Sequence, residues 1–312
     1  MADEKIWIKA EKIPGGKLVM VSIIIPAHRE PYLQKTIDSL LKGAVGEVEI
    51  LAILDGWDPE KPIKPDKRVR IVKLNKHLGM RAAINAGIMK SKGEFLMKSD
   101  AHCAFGIGFD KILRENCAKD WLIIPRRYSL NETKWQRDKT RPYRDYHYLT
   151  YPTPNGIYGI TISNPEWNAR TRQSKNSKYD IDDTMTFQGS CWMANKKYFL
   201  KKVGFLDDRE EAYSPFGGEP MEIGLKYWLG GGQVKVIKKA WYAHLAKRGS
   251  HYQAGLFTKR YKLNQARSRT WAAKHWMDNA EPDMIHPFSW LIEKFWPVPT
   301  WPEDRSLWVF PS

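Results

Sequence analysis

The chain has 312 residues, 42% hydrophobic and 28% charged, a composition that supplies a sizeable core and excludes a disordered or fibrous protein. No apolar run is long enough to cross a bilayer and Met1 to Lys12 is charged. Cys103, Cys117 and Cys191 show neither zinc-ligand spacing nor an even framework, so a soluble protein of a reducing compartment, the cytoplasm, is expected. Net charge is the outlier: 51 Lys and Arg against 35 Asp and Glu give +16, which predicts attraction to nucleic acid, anionic lipid or phosphorylated substrates.

After a polar, Gly-Pro-punctuated arm (1–17), Leu18 to Ile25 reads as a strand rich in β-branched residues, ended by Pro26-Ala27-His28-Arg29-Glu30. Pro31 suits the first turn of a helix in which Leu33, Ile37, Leu40 and Leu41 form one apolar stripe, closed by Gly43. Val48 to Leu54 is a second strand, delivering Asp55-Gly56 to the same sheet edge, and Val69 to Leu74 a third. Gly79 to Lys92 reads as a helix with Met80, Ala83, Ile84 and Ile88 inside. Glu94 to Met97 is then a short buried strand that ends in Asp100-Ala101-His102. This order predicts an α/β nucleotide-binding fold with a central, mostly parallel sheet flanked by helices. Neither GxGxxG nor GxxxxGK[ST] occurs, which removes support for dinucleotide and P-loop readings.

Ligands of open α/β sheets sit beyond the carboxyl ends of strands, so Asp100 and His102 are expected to project into a crevice. If the backbone stays extended the two side chains point the same way, and an oxygen with an imidazole nitrogen suits a first-row cation such as Mn2+ better than Ca2+. Taken alone, the triplet better suits an Asp that caps a helix and a His bonded to a loop carbonyl.

Several segments together resemble the GT-A glycosyltransferases of the family 2 type. These are Val21 to Ala27, Asp55-Gly56, Gly79 with Ala83, Asn85 and Gly87, Lys92-Gly93-Glu94, and Asp100-Ala101-His102-Cys103. The last is most similar to the polypeptide N-acetylgalactosaminyltransferase branch. The likeness resumes at Thr186 to Ser190 and Asn195 to Asp207, is strongest at FGGEPMEIGLKYWLGGG (Phe216 to Gly232), and ends at Trp241 to His244.

The resemblance implies a GT-A catalytic domain over 18–245, with Asp100, His102 and His244 holding Mn2+ or Mg2+ against the diphosphate of a UDP-sugar. It implies that Pro26, Ala27, Glu30 and Asp55 line the base and ribose pocket, that the stretch from Gly79 through Arg81 to Asn85 lies over the nucleotide, and that Gly218 meets the donor. Asp55, in Asp-Gly, also reads as a turn residue. Ile84 stands where many members carry an Arg, a role Arg81 could take. Glu219 is either a helix-capping acid or the catalytic carboxylate beside the acceptor. Pro220 replaces the Asp that commonly serves as base in inverting members, so the stereochemical course is open, with retention favoured.

Two basic segments fall outside the resemblance. An insertion (134–180) on the expected acceptor side interleaves Arg141, Arg144 and seven further cations with Trp135, Tyr143, Tyr146, Tyr148, Tyr151, Tyr158 and Trp167. The C-terminal extension (246–312) begins with Lys247 and Arg248 and carries Lys259, Arg260 and Lys262 in a predicted helix; from Glu281 it becomes a Trp- and Pro-rich arm without periodicity. Cations with aromatic faces are the composition of a nucleic-acid groove, and equally of a solvated basic face over an aromatic core. The reading favoured from sequence is transfer from a UDP-sugar to a 5-hydroxymethyl pyrimidine in double- or single-stranded DNA, as among bacteriophage DNA-modifying enzymes working in the host cytoplasm. The alternative acceptor is a polysaccharide, lipid-linked sugar or protein hydroxyl, and an inactive DNA-binding GT-A protein is the third possibility.

Overall fold

The computed structural model describes residues 19–154, 159–173, 178–215, 217–246 and 259–310. In chain order the elements are β1 (Val21–Ala27), α1 (Leu33–Gly43), β2 (Val48–Asp55), β3 (Val69–Leu74), α2 (Met80–Lys90), β4 (Phe95–Ser99), β5 (Cys103–Phe105) and α3 (Phe109–Glu115). There follow β6 (Trp121–Asn131), β7 (Gln136–Arg137), β8 (Thr153–Pro154), β9 (Ile160–Thr161), α4 (Asn168–Arg172), β10 (Ile181–Asp183), β11 (Cys191–Asn195) and α5 (Lys196–Lys202). The last are α6 (Glu219–Leu229), β12 (Gln233–His244), α7 (Lys259–Met277) and α8 (Phe288–Phe295).

The main sheet runs β10-β12-β6-β11-β4-β1-β2-β3, with β5 added to β12 and β7 to β6. The block β4-β1-β2-β3 is parallel, as the alternation of strands and helices predicts, and β1 and β2, covered on both faces, are nearly continuous apolar runs. All eight residues of β2 are buried, whereas β3 at the sheet edge is half-buried or exposed throughout. β11 runs antiparallel to both β4 and β6, while β6 and β12 pair in parallel. The strand period of two divides the core: Ile24 faces the cluster that also holds residues of α2, α6 and α8, and Ile23 and Ile25 face the one that holds residues of α1 and α3.

Two details depart from the sequence reading. Residues Ala101 and His102 form a turn rather than continuing β4. The Trp-rich tail contains α8, whose Phe288, Leu291, Ile292 and Phe295 are buried in the main core. Eight residues are too short to announce a helical period between prolines. The tail also reaches the insertion, since Trp301 Nε1 donates to Leu149 O at 2.7 Å.

The α2 helix lies so close to β1 that a Cβ at Gly87 would stand 2.4 Å from Ile24 Cγ2. Alanine gains about 1 kcal/mol of helix propensity over glycine, but overpacking a close-fitted core costs about 1–3 kcal/mol, so the packing term wins. Gly87→Ala is expected to lower the unfolding free energy by about 1 kcal/mol in urea titrations; a variant as stable as the parent would show that β1 and α2 are less tightly apposed than described.

Candidate cation and nucleotide site

The parallel register brings the carboxyl ends of β1, β2 and β4 to one edge, where Ala27, Asp55 and Asp100 follow one another. Asp100 is fixed through its backbone, its N–H donating to Ser190 O at 2.8 Å. His244 arrives from the other end of the chain. β12 pairs antiparallel with β5 so that His244 lies opposite Cys103, and Leu245 N–H donates to His102 O at 3.1 Å. Two histidines 142 positions apart thereby face each other, with Nε2 to Nε2 at 3.0 Å.

Asp100 Oδ2 lies 3.2 Å from His244 Nε2 and 3.9 Å from His102 Nε2. Together these are the group of Asp and His ligand atoms found among the described residues that could hold one metal ion. Ligands on one face of an octahedron with bonds of about 2.1 Å stand about 3 Å apart, so the three atoms fit a shared cation. Burial drives the His244 imidazole down to about 3, outweighing the hydrogen bond that Asp100 accepts, and so keeps it in the neutral form a cation requires. Burial pushes the Asp100 carboxyl up, but Lys98 and the two histidines outweigh it and hold it well below its ordinary value.

Glu30 stands behind this cluster. Its carboxylate Oε2 meets His102 Nδ1 at 3.1 Å, and Oε1 accepts from Tyr32 N–H at 3.3 Å. A carboxylate on the remote ring nitrogen fixes the tautomer and aims Nε2 at the cluster. Glu30 is 4% exposed and is placed behind the histidine.

Beside the cluster, Asp55 organises the loop before α2. Oδ1 accepts from Leu78 N–H at 2.7 Å, and Oδ2 from Gly79 N–H at 2.8 Å and His77 Nδ1 at 2.8 Å. These bonds join Asp55 to a distant loop and not to a local Asp-Gly turn, and the carboxylate is only 2% exposed. His28 Nδ1 lies 2.7 Å from Asp55 O, and the His28 and His77 rings meet at 3.9 Å between centroids. Sequence reasoning missed both histidines as a pair; the signal was a histidine after β1 and another shortly after β3. Pro26, half-buried, and Ala27, buried, end β1 at the same edge.

A sequence model of glycosyl transferase family 2 matches residues 22–201, more than half of the chain. The chain belongs to glycosyl transferase family 2. Polypeptide N-acetylgalactosaminyltransferase 3 of Mus musculus is 27% identical over 277 residues, covering 84% of this chain and 41% of the relative. Polypeptide N-acetylgalactosaminyltransferase 5 of Caenorhabditis elegans is 24% identical over 286 residues, covering 87% of this chain and 43% of the relative. The chain thus spans less than half the length of these relatives. A crystal structure of GalNAc-T7 with UDP, GalNAc and Mn2+ superposes with a TM-score of 0.59 at 16% identity, covering 89% of this chain and 57% of that one. The shared fold is GT-A.

Within this family 2 domain several sequence-derived site residues take other places. Arg81 has no exposed surface: Nε donates to Asp207 O at 2.7 Å, Nη1 to Gly217 O at 2.5 Å, and Nη2 pairs with the buried Glu222. Asn85 exchanges two hydrogen bonds with the Leu206 backbone, at 2.9 and 2.8 Å. Both tie α2 to the segment before α6. Gly79, with φ +100°, would clash with Pro215 if it carried a side chain, and Gly218, with φ +63°, with the Tyr213 ring; both glycines are required by backbone shape and close packing.

Glu219 is 1% exposed, with Oε1 accepting from Trp192 Nε1 at 2.6 Å and Oε2 lying 3.4 Å from Lys98 Nζ. It forms the floor behind Asp100, and burial pushes its carboxyl up. Both carboxylate oxygens of Glu219 are thus engaged by the protein, at the helix-start position that the sequence also allowed for it.

The basic insertion is also reinterpreted. Tyr146 is 1% exposed with its hydroxyl on Asp182 Oδ2 at 2.7 Å, so it cannot stack a base. Arg144 pairs with Glu166 at 2.5 Å, and the exposed Arg141 with Asp138 at 3.3 Å. Trp135 stacks on Tyr32, Tyr143 carries the Arg126 guanidinium 3.8 Å from its ring centre, and Trp167 is buried against Tyr148. The aromatic faces are therefore largely spent on the protein itself. Lys247 and Arg248, and the side chains of Lys259, Arg260 and Lys262, lie outside the described residues.

Arg81 offers a test of this reassignment. Removing one partner of a buried pair costs about 3–5 kcal/mol, and Lys226, 2.9 Å from Glu222, limits the loss to the lower end. Arg81→Met is expected to lose about 3 kcal/mol of stability by chemical denaturation while the folded fraction keeps parental UDP affinity. Parental stability with lost UDP binding would return Arg81 to the nucleotide.

Proposed function

We propose that this chain is a cation-dependent glycosyltransferase that moves a sugar from a UDP-sugar to a hydroxyl group of a protein or glycan. The observation that carries the reading is the meeting of Asp100 Oδ2, His102 Nε2 and His244 Nε2 at the carboxyl edge of the parallel strands. A first-row cation and an O,N,N donor set on one face is also the ligand set of non-haem iron oxygenases; membership of glycosyl transferase family 2 decides in favour of sugar transfer. The solved GalNAc-T7 structure carries UDP, GalNAc and Mn2+, and the same three groups are the first to try here.

Mn2+ or Mg2+ held by Asp100, His102 and His244 would supply positive charge for the departing diphosphate. Glu30 holds His102 in the tautomer that presents Nε2. Asp55 fixes the loop at Leu78 and Gly79, and with His28 and His77 shapes the adjoining wall where the nucleobase is proposed to sit. Because Glu219 is sealed behind the floor, a retaining, front-face course is favoured: the bond from the anomeric carbon to the diphosphate breaks, the bond to the acceptor oxygen forms on the same face, and the acceptor proton leaves with the diphosphate.

The protein or glycan acceptor rests on the polypeptide N-acetylgalactosaminyltransferases among the relatives. The DNA acceptor retains the charge of +16 as its support and loses the aromatic platform. Incubation with UDP-[14C]GalNAc and Mn2+ is expected to label serine- and threonine-containing peptides or glycans above DNA carrying 5-hydroxymethylcytosine, with transfer abolished by EDTA and kcat/KM reduced at least about a hundredfold in Asp100→Asn. Labelling of the DNA alone would reinstate the nucleic-acid acceptor, and EDTA-resistant transfer would reject the cation.

A further inference from the structure

Lys98 is the most unusual residue in the centre of the sheet. It sits in β4, between strands β1 and β11, with its side chain 1% exposed. A buried ammonium is tolerated only when its charge and its hydrogens are all answered. Nζ lies 2.6 Å from Asp100 Oδ1, 2.6 Å from Gly189 O and 3.4 Å from Glu219 Oε2. An ammonium has three N–H donors, so its capacity is filled by the protein and none is left for a substrate. Lys98 therefore acts on the site without donating a hydrogen bond to a substrate.

Its effect on Asp100 is geometric and electrostatic. Lys98 holds Oδ1, which leaves Oδ2, the oxygen 3.2 Å from His244 Nε2, to face the histidines. The same ammonium grips Glu219 at the start of α6, so the ligand carboxylate is tied to that helix. Gly189 closes the arrangement: a Cβ there would come within 2.9 Å of Glu219 Oε2. A fixed positive charge against a ligand oxygen also repels an incoming dication and attracts an anionic diphosphate.

We propose that Lys98 is a positioning residue of the cation site, making Asp100 a one-oxygen ligand and holding down the affinity for a free cation so that Mn2+ binds chiefly together with a nucleoside diphosphate. This rests on the cation site proposed above. Removing Lys98 alone would strand Glu219, so the informative variant removes both charges, K98M/E219Q, with K98Q/E219Q as a more polar substitute should the first not fold.

Mn2+ binding is followed by electron paramagnetic resonance, with and without UDP, on proteins whose thermal unfolding confirms the fold. In the parent protein UDP is expected to tighten Mn2+ binding at least about tenfold. In the double variant free Mn2+ is expected to bind about tenfold tighter than in the parent, and the added effect of UDP to shrink. Parental or weaker Mn2+ affinity in a folded double variant overturns the role of Lys98 while leaving the cation site standing. A parent protein that binds no Mn2+ even with UDP overturns both.

Discussion

Pairing of β5 with β12 is the constraint on which the site depends. It sets Cys103 opposite His244 and bonds Leu245 N–H to His102 O, and only through that register do imidazoles from distant parts of the sequence share one point. A slip by one residue would turn His244 to the other face of the sheet. The β6–β12 ladder, long and parallel, anchors the register from the other side, and the Asp100 backbone bond to Ser190 anchors the first ligand.

Around this point the charges are arranged in layers. The cluster offers two imidazoles, that of His244 held neutral by burial, and one ionised carboxylate; behind it stand Glu30 on His102 and Lys98 on Asp100; behind Lys98 lies Glu219, bonded to Trp192. Farther out, Arg81 and Glu222 make a separate buried pair that locks α2 to α6. Buried charges of this kind contribute little net stability, so their presence fits a demand for fixed orientation. The surface excess of Lys and Arg is partly absorbed as well, by Asp, Glu and aromatic rings within the insertion.

The parallel half of the fold was legible for two reasons: β2, buried on both faces, is a nearly unbroken apolar run, and the β-branched Val69, Ile71 and Val72 mark β3 although it lies half-exposed at the sheet edge. Asp100, His102 and His244 were legible through ordered motifs, and their ligand atoms do converge. What sequence could not disclose is which polar residues are consumed internally. Arg81, Asn85 and Glu219 carry the same motif signature whether they face a crevice or a backbone carbonyl, and only packing distinguishes the two. Tyr146 and Trp167 look the same in a groove as in a core. Lys98 drew no attention, since a lone lysine at a strand end reads as solvated until its neighbours are known.

The central claim is that three side chains grip one cation, and the direct measurement is the anomalous scattering of Mn2+ in crystals soaked with Mn2+ and UDP. A single peak about 2.1–2.3 Å from Asp100 Oδ2, His102 Nε2 and His244 Nε2 is the predicted result. A peak bound elsewhere, with the two imidazoles still facing each other and no density between them and Asp100, would contradict it.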